Sequence, residues 1–413
     1  ARLTIPVQQK VQQIAEPFFV PPCGIEPQSK EPESLILSIK LWDLPLLKQS
    51  DLSAFCNLTA KIHQIIDTTK LLTMFLSLLL SSFLTFVELN CENLFDTSHD
   101  SLKNDVEFLP ESNYHWTPVR YWRKLNLLSQ TIVALGYEDY SVKHISNNGE
   151  MATHVANSMT DSGKKWKLPD FVALCEVEND SVLFDLTKRS ALRTAGYEYV
   201  MTNSPDERGI DVALMYHPFS FALIHSWPIR IKRLPHSRPT RDILYASGRI
   251  MSDDTLHIFV VHAPSRRGGE LVSRPYRMQV ANQLAAAVDS IYAINDSAKI
   301  IVAGDFNDYH DSPALEYLYQ HHLINISSKA KGSNGAKATY RWHGEWRSLD
   351  QILLSESMQH QENVSRIGDL PFLLEDDEKY GGKKPYRTYL GPKYLGGYSD
   401  HLPLVARILI DDK

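Results

Sequence analysis

Four cysteines (Cys23, Cys56, Cys91, Cys175) in 413 residues are too few for a disulfide framework. None stands in a Cys-x-x-Cys pair, which argues against a zinc centre built on thiolates. We read Cys91 and Cys175 as small buried hydrophobes on strand faces, with a pairing between them as the alternative that nothing in the sequence supports. Positive charge is also short: 43 Lys and Arg against 49 Asp and Glu leave a formal charge of −6. Such a chain has no global pull toward nucleic acid or an anionic membrane, so a polyanionic substrate must be held by local cations or by metal. No apolar run reaches the roughly 20 residues of a membrane span, and there is no internal repeat. What remains, 43% hydrophobic and 22% charged residues, is the composition of a globular protein with ample chain for a core.

Residues 1–70 differ from the rest. They carry Pro17, Pro21, Pro22, Pro27 and Pro32 and no motif to which chemistry attaches, so they are assigned no function. The uncharged stretch Leu71–Val87 follows Lys70 and has two readings. Residues 71–83 are the core of a leader starting near Met74, and the protein is exported to a periplasm or the outside; or the stretch is a buried helix running into a strand, and the protein is cytoplasmic.

From Leu84 to the C-terminus the pattern becomes strand, loop, helix, strand, which we take as one domain, 84–413. Strands are expected at Leu84–Asn90, Phe171–Glu176, Ile210–Tyr216, Phe219–Lys232, Arg241–Ile250, Leu256–His262, Lys299–Asp305, Ala338–Trp342, Ser348–Ser355 and Leu402–Ile408. Helices are expected at Thr117–Leu135, ended by Gly136, at Ser181–Leu192 and at Leu271–Tyr292. Hairpins mixed with crossover helices suggest an α/β protein of layered sheets.

Polar residues recur where apolar strands end, which is where ligand-binding loops sit in such folds. The segments are Asn90-Cys-Glu-Asn93-Leu-Phe-Asp96, Leu174-Cys-Glu176-Val-Glu178-Asn179, Arg208-Gly-Ile-Asp211, His262-Ala-Pro-Ser-Arg266-Arg267-Gly-Gly, Gly304-Asp305-Phe-Asn307-Asp308, Leu349-Asp350-Gln351 and Ser399-Asp400-His401-Leu-Pro. In chain order, over about four-fifths of the sequence, they resemble the endonuclease/exonuclease/phosphatase superfamily. The Gly-Asp-Phe-Asn run with a distal Ser-Asp-His is the most specific part.

The resemblance implies the deoxyribonuclease I-like fold: a four-layer α/β sandwich of two mixed β-sheets flanked by helices. It also implies a phosphoester hydrolase assisted by Mg2+, with Mn2+ or Ca2+ as substitutes. A hard cation wants oxygen donors and keeps several waters, so a few carboxylates and an amide suit it. By similarity Glu176, Asn90 and Asp400 form the metal site. Asp305 matches the group that orients or deprotonates the attacking water, and Asn307 matches an amide aimed at the phosphoryl oxygen. His401 matches the histidine that contacts the phosphate, with Asp350 as its carboxylate partner. His262 matches a second histidine found in many members, and Asp211 is read as its orienting partner.

For substrate contacts we name Arg208, Arg266, Arg267, Arg387 and Tyr398. The arginines suit phosphate, and the segment Lys379–Tyr398 interleaves Lys383, Lys384, Arg387 and Lys393 with tyrosines in the manner of a nucleic-acid surface. Its alternative is a solvated, glycine-rich loop. Asn90 alone reads as a turn residue, and Glu178 and Asn179 read as the start of a helix. His115, His321 and His322 are assigned nothing, and Tyr317–Tyr319 are read as helix packing. The expected function is cleavage of nucleic-acid phosphodiesters by in-line attack of water, by a monomer with no stable membrane insertion. The alternatives are a phosphatase or phosphodiesterase of inositol phosphates or phospholipids, and an inactive binding module.

Overall fold

The computed structural model describes residues 83–136, 167–235 and 237–410, all within the compact unit Thr73–Lys413. The Pro-rich segment, the leader stretch to Ser82, Cys23 and Cys56 lie outside the described residues. Among the described residues no helix is long and apolar enough to cross a membrane.

Among the described residues, eighteen strands build two six-stranded sheets and three small hairpins. The first half contributes β1 (Phe83–Leu94), β2 (Phe171–Val177), β3 (Glu198–Met201), β4 (Asp211–Tyr216), β5 (Ala222–Ile229), β6 (Ile243–Arg249), β7 (Thr255–His262), β8 (Lys299–Asp305) and β9 (Leu323–Asn325). The rest are β10 (Tyr340–Trp342), β11 (Glu345–Arg347), β12 (Asp350–Ser355), β13 (Val364–Ile367), β14 (Leu374–Asp376), β15 (Lys383–Pro385), β16 (Tyr389–Leu390), β17 (Lys393–Tyr394) and β18 (Leu404–Leu409). One sheet runs β13-β18-β1-β2-β4-β3 and the other β5-β6-β7-β8-β12-β9. Both are mixed, since β1 and β2, and likewise β7 and β8, pair in parallel among antiparallel neighbours. Helix α1 (Pro118–Leu135) lies in the connection from β1 to β2, and α3 (Glu270–Tyr292) joins β7 to β8. Shorter helices α2 (Asp180–Phe184) and α4 (Pro313–Tyr319) follow β2 and β8.

Strand alternation sets the layers. Leu84 and Phe86 of β1 join Ala173 of β2, Ile258 of β7 and Ile352 of β12 in the cluster between the sheets. Val87 and Leu89 face the other way, onto Leu125, Leu128 and Ile132 of α1. On the far sheet Phe259 and Val302 pack outward against Leu284 and Val288 of α3. Helix, sheet, sheet, helix: the expected four-layer sandwich is the fold observed.

The two parallel pairs position the site. Their C-terminal ends lie at one edge of each sheet, so Asn90, Glu176, His262 and Asp305 all arrive at the same rim. Gly304 is what allows β7 and β8 to close there: its φ is +144°, and a Cβ would stand 1.9 Å from the carbonyl oxygen of Val261. Gly304→Ala should therefore cost about 3 kcal/mol or more, by overpacking backbone against backbone. The midpoint of urea unfolding reads this directly, and an unchanged midpoint would refute it.

Candidate active site

Asp305 ends β8 and faces Asp350, which opens β12 as its register partner. Its carboxylate is held by amides: Asn90 Nδ2 donates to Oδ2 (3.1 Å), as does Asn307 Nδ2 (3.1 Å), and the Asn307 N–H donates to Oδ1 (2.7 Å). Asn307 reaches back this way because it adopts a left-handed φ of +48°. Burial, then the charge of Asp350, raises the Asp305 pKa to about 7.

Asp350 also takes His401. The Nδ1 atom of the ring lies 3.0 and 2.9 Å from the two Asp350 oxygens. Burial alone would push this histidine down, but Asp350, and after it Asp305 and Asp400, hold it well above its usual range. The Asp350 pairing thus favours the cationic form of His401. The loop bearing it is tied to β1, because Ser399 Oγ donates to the Asn90 carbonyl (2.7 Å).

His262 ends β7 in the opposite state. Burial first, then Arg241, Arg208 and His401, push it well below its usual value, so the ring is neutral. Its Nε2 stands 3.6 Å from Asp305 and 3.8 Å from Glu176, while Nδ1 is buried without a partner. Asp211 does not orient it, correcting that expectation: this carboxylate accepts instead from the Thr202 hydroxyl and the Ser204 N–H, which close its own loop. Glu176 sits where β2 loses register, at φ +63°, and anchors Oε2 on the Asn93 N–H (2.9 Å).

These groups surround a cleft of about 920 Å3. Glu176, Arg208, His262, Arg266, Arg267, Asp305, Asn307, Asp400 and His401 line it. Asn90 and Asp350 are buried beside it, in contact with Asp305 and His401. Arg266 is already neutralised by Asp308 and Glu270 (2.5 Å each), and its guanidinium stacks on Tyr309. Arg267 has no ion pair among the described residues.

Two expectations about substrate contact need correction. Tyr398 is 9% exposed, packs in the inter-sheet core against Phe372, and bonds Gln130. Arg387 is clamped between Glu92 (3.5 Å) and Asp400 (3.0 Å) and does not line the cleft. Most of the Lys379–Tyr398 segment follows suit: Lys383 pairs with Asp376 and Lys384 with Glu375, while Tyr386, Tyr389, Tyr394 and Tyr398 pack on the cores; Lys379, Tyr380 and Lys393 stay exposed. The aromatic wall of the cleft comes instead from the β10–β11 hairpin, through Tyr340, Trp342 and His343, with Arg347 beside them.

Three other residues escaped the sequence reading. Glu92 accepts the N–H groups of Thr388 (2.6 Å) and Tyr389 (3.1 Å), and burial, then Asp400, raises it to about 7. Lys124, fully buried, donates to the Thr388 hydroxyl and the Tyr398 carbonyl. The Asn90-x-Glu92 spacing was the only signal for this network. Glu88 gave none: it sits where β1 alternation calls for an apolar residue, with both carboxylate oxygens buried and unpartnered. Burial, then Asp350 and Asp305, keep it well above the carboxylate range. A raised folded pKa means stability is full below the unfolded carboxyl range and falls as pH rises toward the folded value. Glu88→Gln removes that loss. Its advantage over wild type should be absent near pH 4 and then grow by at most about 1.4 kcal/mol per pH unit. Urea midpoints at several pH values would show it, and a pH-independent difference would contradict it.

The centre can accept a cation. Asp305, Asp350 and His401 offer ligand atoms within 4.8 Å of one another, with Nδ1 of His401 turned onto Asp350 (2.9 Å). Glu176, Asp400 and Asn90 offer hard oxygens at or beside the cleft, next to the paired carboxylates of Asp305 and Asp350. That donor set fits a hard divalent ion.

No curated protein matches the chain. Solved structures do, at low identity. An endonuclease/exonuclease/phosphatase family protein of Bacteroides thetaiotaomicron is 14% identical, covers 80% of this chain and 98% of its own, with a TM-score of 0.47. A mannosyl-6-phosphatase of the same organism is 13% identical over 79% of this chain and 100% of its own (TM-score 0.48). TDP2 of D. rerio, complexed with a single-strand DNA product, is 15% identical over 79% and 99% (TM-score 0.43). The sequence itself matches the family model over residues 85–409: the chain belongs to the Endonuclease/Exonuclease/phosphatase family, which hydrolyses phosphoester bonds.

Proposed function

We propose that this chain is a magnesium-dependent nuclease that cleaves phosphodiester bonds by in-line attack of water. The observation that carries the reading is Asp305, held by two amides and poised at about 7, beside a histidine kept cationic by Asp350. A base with a pKa near the working pH accepts a proton from water efficiently. The Asn307 amide holds the base in place, its Nδ2 donating to Asp305 and to the Ala263 carbonyl (3.1 Å each), and not to the phosphoryl oxygen that the sequence suggested, while the imidazolium of His401 meets the charge that accumulates there. His262, neutral, completes the wall between Glu176 and Asp305 without repelling a cation. Glu176, Asp400 and Asn90 would hold Mg2+, with Mn2+ or Ca2+ as substitutes, which supplies charge neutralisation at the phosphoryl oxygens.

Nucleic acid is favoured over small phosphoesters by the cleft wall. Trp342 is 56% exposed, stacks on His343 and stands near Tyr340 and Arg347, and exposed aromatic faces with cations suit stacked bases and a phosphate backbone. The test is a panel of plasmid DNA, RNA, inositol phosphates and sphingomyelin, with magnesium and with chelator. Nicking of plasmid that chelation abolishes and magnesium restores is expected. Phosphate release from inositol phosphates alone would replace the nuclease reading with a phosphatase.

A further inference from the structure

A second cavity, of about 440 Å3, opens beside the catalytic cleft and shares Arg208, Arg241, Ser265 and Arg267 with it as common wall. Its outer side is the β5–β6 connection, which adds Lys232, Arg233 and Arg238, and α3 closes it with Tyr276 and Gln279. In a chain of net charge −6 this is a concentration of cations that the fold does not require.

Only part of this charge is spent internally, where Arg233 donates to the Ser237 carbonyl (2.7 Å) and Arg241 to the Ala263 carbonyl (2.7 Å). Asp206 takes Arg241 (3.2 Å) and lies 3.7 Å from Arg208. Glu207, the other acid of the cavity, reaches only Arg238, at 3.9 Å and with both side chains more than half exposed, where screening leaves little attraction. Lys232 and Arg267 have no ion pair among the described residues. Two buried polar atoms of the lining also lack partners: Nε of Arg241, whose side chain is 7% exposed, and Oγ1 of Thr240. A buried guanidinium N–H left unsatisfied carries a desolvation penalty, and an incoming anion oxygen would relieve it.

We infer that this cavity binds a second phosphate of the substrate strand, so that the enzyme holds oligonucleotides more tightly than isolated phosphodiesters; the inference rests on the nuclease reading above. The shared wall makes the two sites continuous: a strand whose scissile phosphate lies between Asp305 and His401 leaves over Arg208 and Arg267 and enters the second cavity. Guanidinium groups recognise phosphate by paired donors, and Tyr276 offers a ring face beside them. The cavity thus works as a positioning subsite, expressed in KM and not in the chemical step.

The double variant Arg233→Glu with Arg238→Glu tests this, since both side chains are exposed and neither touches the catalytic groups. Two substrates are compared in magnesium: a single-stranded 12-mer and bis(p-nitrophenyl) phosphate, which carries one phosphate only. For the 12-mer, KM should rise about tenfold or more with kcat preserved, and its dependence on salt should weaken by roughly 0.7 in log–log slope for each phosphate no longer neutralised. Hydrolysis of the small diester should be unchanged. Wild type that cleaves the 12-mer with a KM indifferent to the charge reversal would overturn the subsite alone. Wild type that cleaves the small diester but not the 12-mer would overturn the nuclease reading, and the subsite with it.

Discussion

Asp305→Asn is expected to lower kcat/KM for a phosphodiester by about 10²–10⁴-fold, the range general-base catalysis contributes. The substitution keeps the size of the side chain and an oxygen for the Asn90 and Asn307 side-chain amides, while its new amino group faces the Asn307 N–H that Asp305 accepts. It cannot take a proton. It also removes a carboxylate that burial and Asp350 already push to about 7, which offsets part of the roughly 1–3 kcal/mol that the unsatisfied Asn307 N–H costs. The loss should fall on kcat, because the group acts on the attacking water and not on the bound strand. A variant that melts with wild type but turns over fully would remove Asp305 from the base role.

Asp350→Asn should be the other severe change, with a signature in pH. The variant leaves a buried ring without its anionic partner, so His401 falls toward the neutral form. Activity should drop by about 10²–10³-fold, as when a charge-stabilising donor is lost, and the alkaline limb of the rate profile should move toward neutrality. The stability effect has a definite sign. A histidine raised in the folded state contributes stability that is complete below about 6.5 and lost as pH rises through its folded value. Asp350→Asn should therefore destabilise most at acidic to neutral pH, by about 3 kcal/mol, and progressively less in alkali. Melting curves and kcat/KM across pH would check both; an unmoved alkaline limb would show that His401 does not act as a cation.

The layers and the site were legible for the same reason. Leu84–Asn90, Phe171–Glu176, Leu256–His262 and Lys299–Asp305 each read as apolar runs ending in a polar group, and the structure brings all four ends to one rim. Cys91 and Cys175 are buried free thiols, as their strand context suggested. Short-range patterning failed where long-range partners decide. Lys383, Arg387 and Tyr398 look like a nucleic-acid surface in sequence, yet their carboxylates and aromatic partners come from other segments, Glu92 and Phe372 among them. Glu88 and Lys124 are charged residues in interiors, which no periodicity announces. The helix expected at Ser181–Leu192 contracts to Asp180–Phe184 and a wider turn through Arg189, where the Thr187 and Ser190 hydroxyls bond back to Leu183 and Leu186 carbonyls.

The most direct measurement is a magnesium titration of oligonucleotide cleavage by chelator-treated protein, wild type beside Glu176→Gln. Cleavage should be absent without the ion, rise to saturation as it is added, and need at least about tenfold more magnesium for half-activation once the Glu176 carboxylate is gone. Cleavage that proceeds in chelator, or an activation curve that Glu176→Gln leaves in place, would contradict a metal-charged centre at this cleft.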